Sequence, residues 1–517
     1  MPRSKPSDPL YDLYKRARNR LRRHTPTSIL DHAIAILRSV TPNNPEVLKR
    51  YQPWSILLVI KWTLQEATWG TERRSPATRS DFEAVLNCLR VIDGRIRTPG
   101  DHEDLLLFLR HFAFQQFWLQ QDVNGAALAR QELLFSFLPT NHPLSREFVR
   151  ISGVPAKDFM ELAFATLTIV LKEPMPVKFH RNVFDVLVPG MPPASINGFL
   201  RHLSKSIAEL NAWLISDEFT DDSIAAQRIL PSPLLDSPLI DLGGGEYAPI
   251  FRTLFNRSME SVVYRTLRRD DPQKLGERFG PLFERFVGDL FMDAALQATP
   301  EKTLKAMLPG PGQWADFVIV EDETNVVIDV KGVEMSQLGR ITWNPDHVVQ
   351  ALSGTAIKAI GQCMDMVRRL RAQLLPRRIP FGSGETYILI VSFDRLYLGS
   401  HVAFGEAFGP SVYPKLERDL GAPLPVPPDN VFFLSIDELE RLLARVQAKQ
   451  TTLVGALRYA KAQDSKGPTR KFEFQQHLDS LGEQTSRLPI TENALNALIH
   501  RCILRLPVDQ RKGLDEW

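Results

Sequence analysis

Apolar positions in the second half of the chain alternate and cluster in the way that β-strands do. Residues 315–320 and 326–331 are two such runs, separated by a short polar stretch, and this arrangement predicts a β-hairpin. Side chains of a strand point alternately to its two faces, so Asp329 and Lys331 are expected to share one face. Asp316, at the start of the first run, would then lie near Asp329 across the hairpin.

Helical and buried-strand patterns flank this hairpin on both sides. Apolar residues recur every three or four positions before it and after it, which predicts a helix on each side. Two later apolar runs are strand-like, and the first of them has the composition of a strand buried on both faces. A Ser435–Glu438 capping box opens a further helix that runs through Val446. In chain order the predicted elements are a helix at 280–291, the hairpin, a helix at 351–370, and strands at 387–393 and 431–434.

The first part of the chain has the 3.6-residue periodicity of successive helices. The predicted helices are 28–39, 81–92, 103–120, 126–138, 158–173 and 196–215, with a strand or an irregular insertion at 183–188. Prolines at 231, 233 and 238 indicate a linker or domain entry. The glycine-rich run 241–247 lacks the lysine and Ser/Thr of a phosphate-binding loop, so it predicts a tight turn.

These patterns predict a multidomain α plus α/β protein. A helical N-terminal domain with a recognition or regulatory role covers residues 1–230, and an entry segment covers 231–269. A mixed-sheet domain follows at 270–450, and a helical appendage ends the chain at 451–517. The length of 517 residues suits several domains of ordinary size.

The composition is that of an ordinary globular protein. The chain is 44% hydrophobic and 24% charged, as is usual for globular proteins, and its net charge of +3 is too small to indicate nucleic-acid binding by itself. The three cysteines, at 88, 363 and 502, are far apart and predict neither a disulfide framework nor a zinc site. With no apolar run long enough to cross a bilayer, we expect a cytoplasmic protein that has no membrane partner.

Positive charge is concentrated near the N-terminus. A predicted helix there has an apolar stripe on one face and could contact nucleic-acid phosphates with its basic residues. An ordinary solvated helix face explains the same pattern. The candidate phosphate-binding residues are Lys15, Arg16, Arg18, Arg20, Arg22 and Arg23.

Two converging carboxylates predict a metal site in the hairpin. Asp316 and Asp329 would repel each other unless a cation lay between them, and their hard oxygen ligands suit Mg²⁺ or Mn²⁺. Lys331 beside them could orient or deprotonate an attacking water molecule, while the metal stabilises charge on a phosphate. A surface ion pair is the common alternative for an Asp-x-Lys sequence taken alone.

In the order and spacing of these elements, roughly residues 270–400 resemble the PD-(D/E)xK nuclease superfamily. The resemblance implies a restriction-endonuclease-like core with Asp316, Asp329 and Lys331 at its centre. It also implies that Glu284 on the first helix assists metal binding, with Glu277 as a lesser candidate, and that Gln362 touches substrate or water. Ala315 stands where a proline often precedes the first aspartate, and this departure changes no ligand.

The resemblance implies a Mg²⁺- or Mn²⁺-dependent endonuclease that hydrolyses phosphodiester bonds in line and leaves a 5′-phosphate. DNA is favoured over RNA, and bacterial antiviral defence is an analogy at the level of domain arrangement. An activating protein or ligand and a homo-oligomer are compatible with the large helical regions. The alternatives are an RNase or tRNA-cleaving enzyme with the same site, a catalytically silent nucleic-acid-binding or assembly protein, and an unrelated α/β scaffold protein.

Overall fold

A computed structural model describes most of the chain. The described residues are 8–40, 45–68, 74–96, 105–120, 124–172, 174–188, 190–216, 223–307, 311–372, 381–482 and 487–511.

Helices dominate the described residues, and nine strands form two sheets. The helices are α1 Tyr11–Leu21, α2 Pro26–Ser39, α3 Pro45–Arg50, α4 Pro53–Gln65, α5 Arg79–Asp93, α6 Leu105–Phe112, α7 Trp118–Gln120, α8 Gly125–Gln131, α9 Pro143–Ser152, α10 Ala156–Val170, α11 Pro193–Leu203, α12 Ile207–Leu214, α13 Ile224–Ile229, α14 Arg252–Met259, α15 Val262–Asp270, α16 Pro272–Asp293, α17 Glu301–Met307, α18 Gln337–Ile341, α19 Pro345–Leu352, α20 Ala356–Ala372, α21 His401–Ala407, α22 Gly409–Leu420, α23 Ile436–Gln447, α24 Leu453–Asp464, α25 Phe474–Ser480 and α26 Pro489–Arg505. The strands are β1 Phe179–His180, β2 Ser204–Lys205, β3 Leu239–Gly243, β4 Glu246–Pro249, β5 Thr299–Pro300, β6 Phe317–Glu321, β7 Thr324–Lys331, β8 Thr386–Ser392 and β9 Val431–Ser435.

The chain divides into two compact units. Unit 1 comprises Met1–Thr98, Phe112–Asp270 and Leu495–Trp517, and unit 2 comprises Pro99–His111 and Asp271–Ala494. The predicted boundaries differ from this division. The segment 231–269, expected to be a linker, belongs to unit 1 because its β3–β4 hairpin pairs with β1 and β2. The expected appendage 451–517 is shared between the units, since α24 and α25 pack on α23 in unit 2.

Unit 1 contains a small sheet that the sequence patterns did not predict. Its strand order is β1-β4-β3-β2, in which β2 runs parallel to β3 and the other neighbours are antiparallel. The helix expected over 196–215 is therefore wrong as a single element. It is split into α11 and α12 by β2, and Ser206 then opens α12 with a capping box to Glu209.

Other expectations for unit 1 have mixed outcomes. The residues 183–188 do not form a strand, because 183–187 lie in a 3-10 segment, Arg181–Leu187, and Val188 caps its end. The predicted tight turn at 241–247 is confirmed, with positive φ at Gly243, which ends β3, and at Gly244 and Gly245, which connect β3 to β4. Helices are found at the remaining predicted places, but two of them pass into π-helical segments, Ala113–Phe117 and Glu132–Ser136. The predicted end residues Glu103 and Glu173 lie outside the described residues.

Unit 2 is built on a five-stranded mixed sheet of order β5-β6-β7-β8-β9. The first three strands are antiparallel neighbours, and β7, β8 and β9 run parallel. The central strands are almost entirely buried, which explains their continuous apolar runs in the sequence. The sheet therefore confirms the predicted hairpin and both predicted later strands.

Helices cover both faces of this sheet. On one face, Phe317 of β6 packs against Phe291 of α16, with ring centroids 5.4 Å apart, and α16 also contacts α23. The other face is covered by α20, which contacts β7, β8 and α22. Parallel neighbours need such crossover connections, and α20 supplies the one from β7 to β8.

The β6–β7 hairpin closes with a two-residue turn. Glu321 pairs with Thr324, and the residues between them, Asp322 and Glu323, have φ values of 45° and 64°. Two successive positive φ angles are the signature of a tight hairpin turn that suits the twist of the flanking strands. This turn fixes the register of β6 against β7, and that register decides which side chains meet.

One short segment of unit 2 comes from the N-terminal half of the chain. The buried guanidinium of Arg110 on α6 donates hydrogen bonds to the carbonyl oxygens of Leu396 (2.8 Å), Tyr397 (2.7 Å) and Gly339 (2.9 Å). The neighbouring His111 ring lies 3.1 Å from the carbonyl oxygen of Thr342. These polar contacts hold the segment in unit 2.

His111 should make the stability of unit 2 depend on pH. Burial lowers its pKa from 6.5 to about 4, so the folded chain keeps the ring neutral while the unfolded chain takes up a proton. Stability is therefore lost as the pH falls from 6.5 towards 4, by up to about 3 kcal/mol. Urea denaturation at pH 7 and pH 4.5 should show a smaller acid loss for His111→Gln than for wild type. Equal acid losses in the two proteins would rule out His111 as the cause.

Among the described residues, no helix combines the length and the apolar character that crossing a membrane requires.

Candidate functional site

The hairpin brings Asp316 and Asp329 together. Phe317 pairs with Ile328 in the antiparallel ladder, so one step further along the two strands Asp316 stands opposite Asp329. The carboxylate of Asp316 accepts a hydrogen bond from the backbone N–H of Val330 at 2.6 Å. That bond fixes the first carboxylate beside the second strand, as the sequence predicted.

The carboxylate of Asp329 is buried and lacks hydrogen-bond partners of good geometry. The residue is 0% exposed, and neither of its oxygens accepts a hydrogen bond of good geometry from the described residues. Its Oδ1 forms an ion pair with Nζ of Lys331, which shares its face of β7. A buried charge with open lone pairs is costly, and such groups occur where a ligand or cation completes them.

Burial has the largest effect on the pKa values of the two aspartates. Burial, and next the nearby charge of Asp316, raise the pKa of Asp329 to about 7. Burial also raises the pKa of Asp316. For Lys331, burial disfavours the charged form, but attraction by Asp329 and Asp316 outweighs it and raises the pKa. The lysine is therefore a cation at neutral pH.

The two acidic candidates on α16 have different environments. Glu284 is half-buried, and its pKa is raised by burial and next by the charge of Asp316, so it lies close enough to interact with the hairpin. Glu277 is exposed and its carboxylate accepts a hydrogen bond from Gln273 at 3.4 Å within the same helix. Of the two, Glu284 is the one that the fold brings towards the aspartates.

Helix α20 covers the face of β7 that carries Asp329. The buried thiol of Cys363 has its pKa raised by burial and next by the charges of Asp329 and Asp316. The adjacent Gln362 is half-buried, and its Oε1 is buried without a hydrogen-bond partner among the described residues. Because this amide oxygen can still accept a hydrogen bond, Gln362 is suited to binding water or substrate.

Two charged residues of α17 lie near the site and were not among the residues predicted from the sequence. Glu301 donates its backbone N–H to the carbonyl oxygen of Asp316 at 2.8 Å, and its carboxylate contributes to the raised pKa of Asp316. Lys305 forms an ion pair with Glu301 at 2.6 Å. Only the pairing of β5 with β6 brings this short helix to the site, and the two-residue strand β5 leaves no recognisable pattern in the sequence.

The carboxylates of the site fit Mg²⁺ or Mn²⁺ only in part. Two carboxylates meet and one of them has unsatisfied oxygens, which fits a site that keeps several water ligands on the metal. However, no group of three or more His, Cys, Asp or Glu side chains in the described part of the chain has the geometry to hold a metal ion. Glu284 is therefore close enough to interact with the aspartates, but it is not placed as a third metal ligand in this arrangement.

The basic residues near the N-terminus are not equivalent. The predicted helix is confirmed as α1, with Tyr14, Ala17 and Leu21 buried. Arg18 is buried beside the rings of Tyr11 and Tyr14. Arg22 forms an ion pair with Glu66 at 2.7 Å. The other four candidates, Lys15, Arg16, Arg20 and Arg23, are exposed.

Comparison with family models, with curated proteins and with solved structures finds no match to this chain.

Proposed function

We propose that the chain is a metal-dependent endonuclease, with DNA as the favoured substrate and a restriction-endonuclease-like core in unit 2. The observation that carries this proposal is the buried carboxylate of Asp329, which faces Asp316 across the hairpin and is paired with Lys331. The order α16, hairpin, α20 and β8 agrees with the expected core and supports the proposal.

The chain's own residues suggest separate roles. Asp316 and Asp329 would hold Mg²⁺ or Mn²⁺, and a bound ion would stabilise negative charge on the scissile phosphate. Lys331, whose raised pKa keeps it protonated, suits orienting water and attracting the phosphate better than abstracting a proton. Glu284 would assist through its charge, and Gln362 offers an open acceptor to the attacking water.

A second candidate function has one observation in its favour. The described residues do not assemble three metal ligands, as would be expected of a nucleic-acid-binding or assembly protein that kept the fold without catalysis. Cleavage of supercoiled plasmid, linear DNA, single-stranded DNA and structured RNA, each with Mg²⁺, Mn²⁺ or EDTA, separates the candidates. Metal-dependent cutting supports the nuclease, and binding without cutting by the pure protein supports the second candidate.

Mn²⁺ should stabilise the wild-type protein. Ligand that binds only the folded state at about 100 times its Kd adds about 2.7 kcal/mol, which corresponds to a rise in Tm of about 5 °C or more in a unit of this size. Asp316→Asn should lose this rise, because one of the two carboxylates is gone. Differential scanning calorimetry with and without Mn²⁺ measures it.

The matched control for the metal experiment is Asp322→Asn. Asp322 is an exposed carboxylate at the turn of the same hairpin, so its removal should leave the Mn²⁺ effect intact. An equal Tm rise in all three proteins would show that Mn²⁺ binds elsewhere, and the metal assignment would be abandoned.

A further inference from the structure

The chain turns sharply directly after Lys331, the last residue of β7. The carbonyl oxygen of Lys331 accepts a hydrogen bond from the backbone N–H of Val333 at 2.7 Å and another from the backbone N–H of Phe393 at 3.1 Å. The first bond closes a three-residue turn centred on Gly332. The second comes from the residue that follows β8. Together these bonds fix the backbone from which the Lys331 side chain projects.

Gly332 lies against the ring of Phe279 on α16. A Cβ atom at position 332 would lie 2.8 Å from Cδ1 and 3.1 Å from Cε1 of that ring. Carbon atoms in favourable contact are about 3.5–4.0 Å apart, so only glycine fits here. The ring is 0% exposed, so it has no open space into which it can turn. A larger residue at 332 would therefore displace either the turn or the ring by about 1 Å.

Phe279 is part of an aromatic cluster that consists of Phe279, Phe283 and Phe393. The rings of Phe279 and Phe283 are parallel within 9°, with centroids 5.6 Å apart. The ring of Phe393 meets both of them edge to face, at 4.9 Å from Phe279 and 5.4 Å from Phe283. Edge-to-face pairs at such distances are favourable beyond the apolar area that they bury. The aromatic cluster therefore packs the residue after β8 firmly onto α16.

The aromatic cluster and the hairpin hold different parts of the candidate site. Asp316 is fixed within the hairpin by the backbone N–H of Val330, at 2.6 Å. Lys331 is tied to α16 in two further ways, through the contact of Gly332 with a ring and through the N–H of Phe393. Its placement beside the aspartates therefore depends on a packing contact outside the hairpin.

We propose that Gly332 and the aromatic cluster position Lys331 against the carboxylates of Asp316 and Asp329, and that the rate of cleavage depends on this close contact. Gly332 and the rings are positioning residues, because they act through the lysine and touch no reacting atom. A displacement of about 1 Å in such a site can lower the rate about 10²-fold. This inference rests on the proposed function, because that function assigns Lys331 to the phosphate and the attacking water.

Gly332→Ala tests the close contact. The variant should be folded and should lower kcat/KM about 10²-fold, because the added methyl group displaces the turn that carries Lys331. Gly276→Ala is the matched control on α16, since a Cβ there meets no atom within 4 Å, and it should cut as wild type does. Initial rates measure cleavage and calorimetry confirms folding. Wild-type cleavage by folded Gly332→Ala would overturn the inference.

Two double variants show whether the loss passes through the lysine. In a Lys331→Met background, Gly332→Ala should cause little further loss, because the side chain that it displaces is already absent. Phe279→Leu supplies a smaller and more flexible side chain, so adding it to Gly332→Ala should restore cleavage about tenfold or more. Equal losses from Gly332→Ala with and without Lys331 would indicate general damage to the fold and overturn the inference.

A second substitution applies if Gly332→Ala does not fold. Phe393→Leu keeps the backbone N–H that binds the carbonyl oxygen of Lys331 and removes one ring of the aromatic cluster. It should lower kcat/KM about tenfold, and this loss should vanish in the Lys331→Met background. A loss of the same size in both backgrounds would overturn the inference.

Crystal structures of wild type and the folded variant separate this inference from the proposed function, because they require no activity. Nζ of Lys331 should be displaced by about 1 Å relative to the carboxylate of Asp316. An undisplaced lysine overturns the inference and leaves the nuclease in place. If wild type cuts no substrate, the proposed function fails, and a displaced lysine still supports the positioning role of the contact.

Discussion

Asp329→Asn should abolish metal-dependent cleavage, lowering kcat/KM by more than the roughly 10³-fold that is the upper range for loss of a single charge-stabilising group. Asp329 is the buried carboxylate that faces Asp316, and its replacement removes the negative charge that a cation needs in order to bind there. Lys331→Met should lower cleavage by about 10²-fold to 10³-fold, the range seen when one preorganised charge-stabilising group is removed. Initial rates on the preferred substrate, at saturating metal, measure both effects.

The controls for this prediction separate chemistry from folding. Asparagine has the shape of aspartate but removes the charge that is paired with Lys331, so Tm without metal is measured for the variant to show that it still folds. The exposed Asp322→Asn on the same hairpin should cut as wild type does. Undiminished cleavage by folded Asp329→Asn would refute the assignment of this site.

Arg110→Met should destabilise unit 2 by about 3 kcal/mol or more. The arginine is 1% exposed and donates to three backbone carbonyl oxygens, those of Leu396, Tyr397 and Gly339. Methionine fills part of the volume but leaves these acceptors without their donor, at a cost of about 1–3 kcal/mol for each buried group. Urea denaturation measures the change.

Two further variants define what Arg110 contributes. Arg110→Lys keeps the positive charge but has no planar fork of donors, so it should recover only part of the lost stability. Arg368→Met removes an exposed arginine paired with Asp365 at 2.7 Å, and its cost should stay below about 1 kcal/mol. Equal stability of Arg110→Met and wild type would show that the hydrogen bonds of Arg110 to Leu396 and Tyr397 contribute nothing measurable.

The candidate site could be predicted from sequence where its geometry is local. Asp329 and Lys331 are two residues apart on one strand, so the two-residue period of a strand is enough to put them on one face. The position of Asp316 opposite Asp329 can also be predicted, because the short hairpin turn sets the register of the two strands. Glu301 could not be predicted in this way, because it approaches through the pairing of β5 with β6.

The contacts beyond the carboxyl ends of β8 and β9 show the same limit. Tyr397 and Phe472 are 75 positions apart in the printed numbering, and their parallel rings meet only after β8, β9 and α25 have assembled. Nothing in either local sequence indicates the other. The ion pair between Arg395 and Glu473 likewise forms only after residues distant in the sequence have come together.

The sequence by itself determined the elements whose pattern is strong and local: the long helix α16, the β6–β7 hairpin, the buried strands β8 and β9, and the capping box of α23. Periodicity and caps act within a few residues, so they can be read along the chain. Only the tertiary structure decided the four-stranded sheet of unit 1, the division of the chain into two units, and the place of Arg110 in unit 2. These features depend on contacts between residues that are distant in the sequence. Short strands and a single buried arginine are stabilised by such contacts, so no local pattern predicts them.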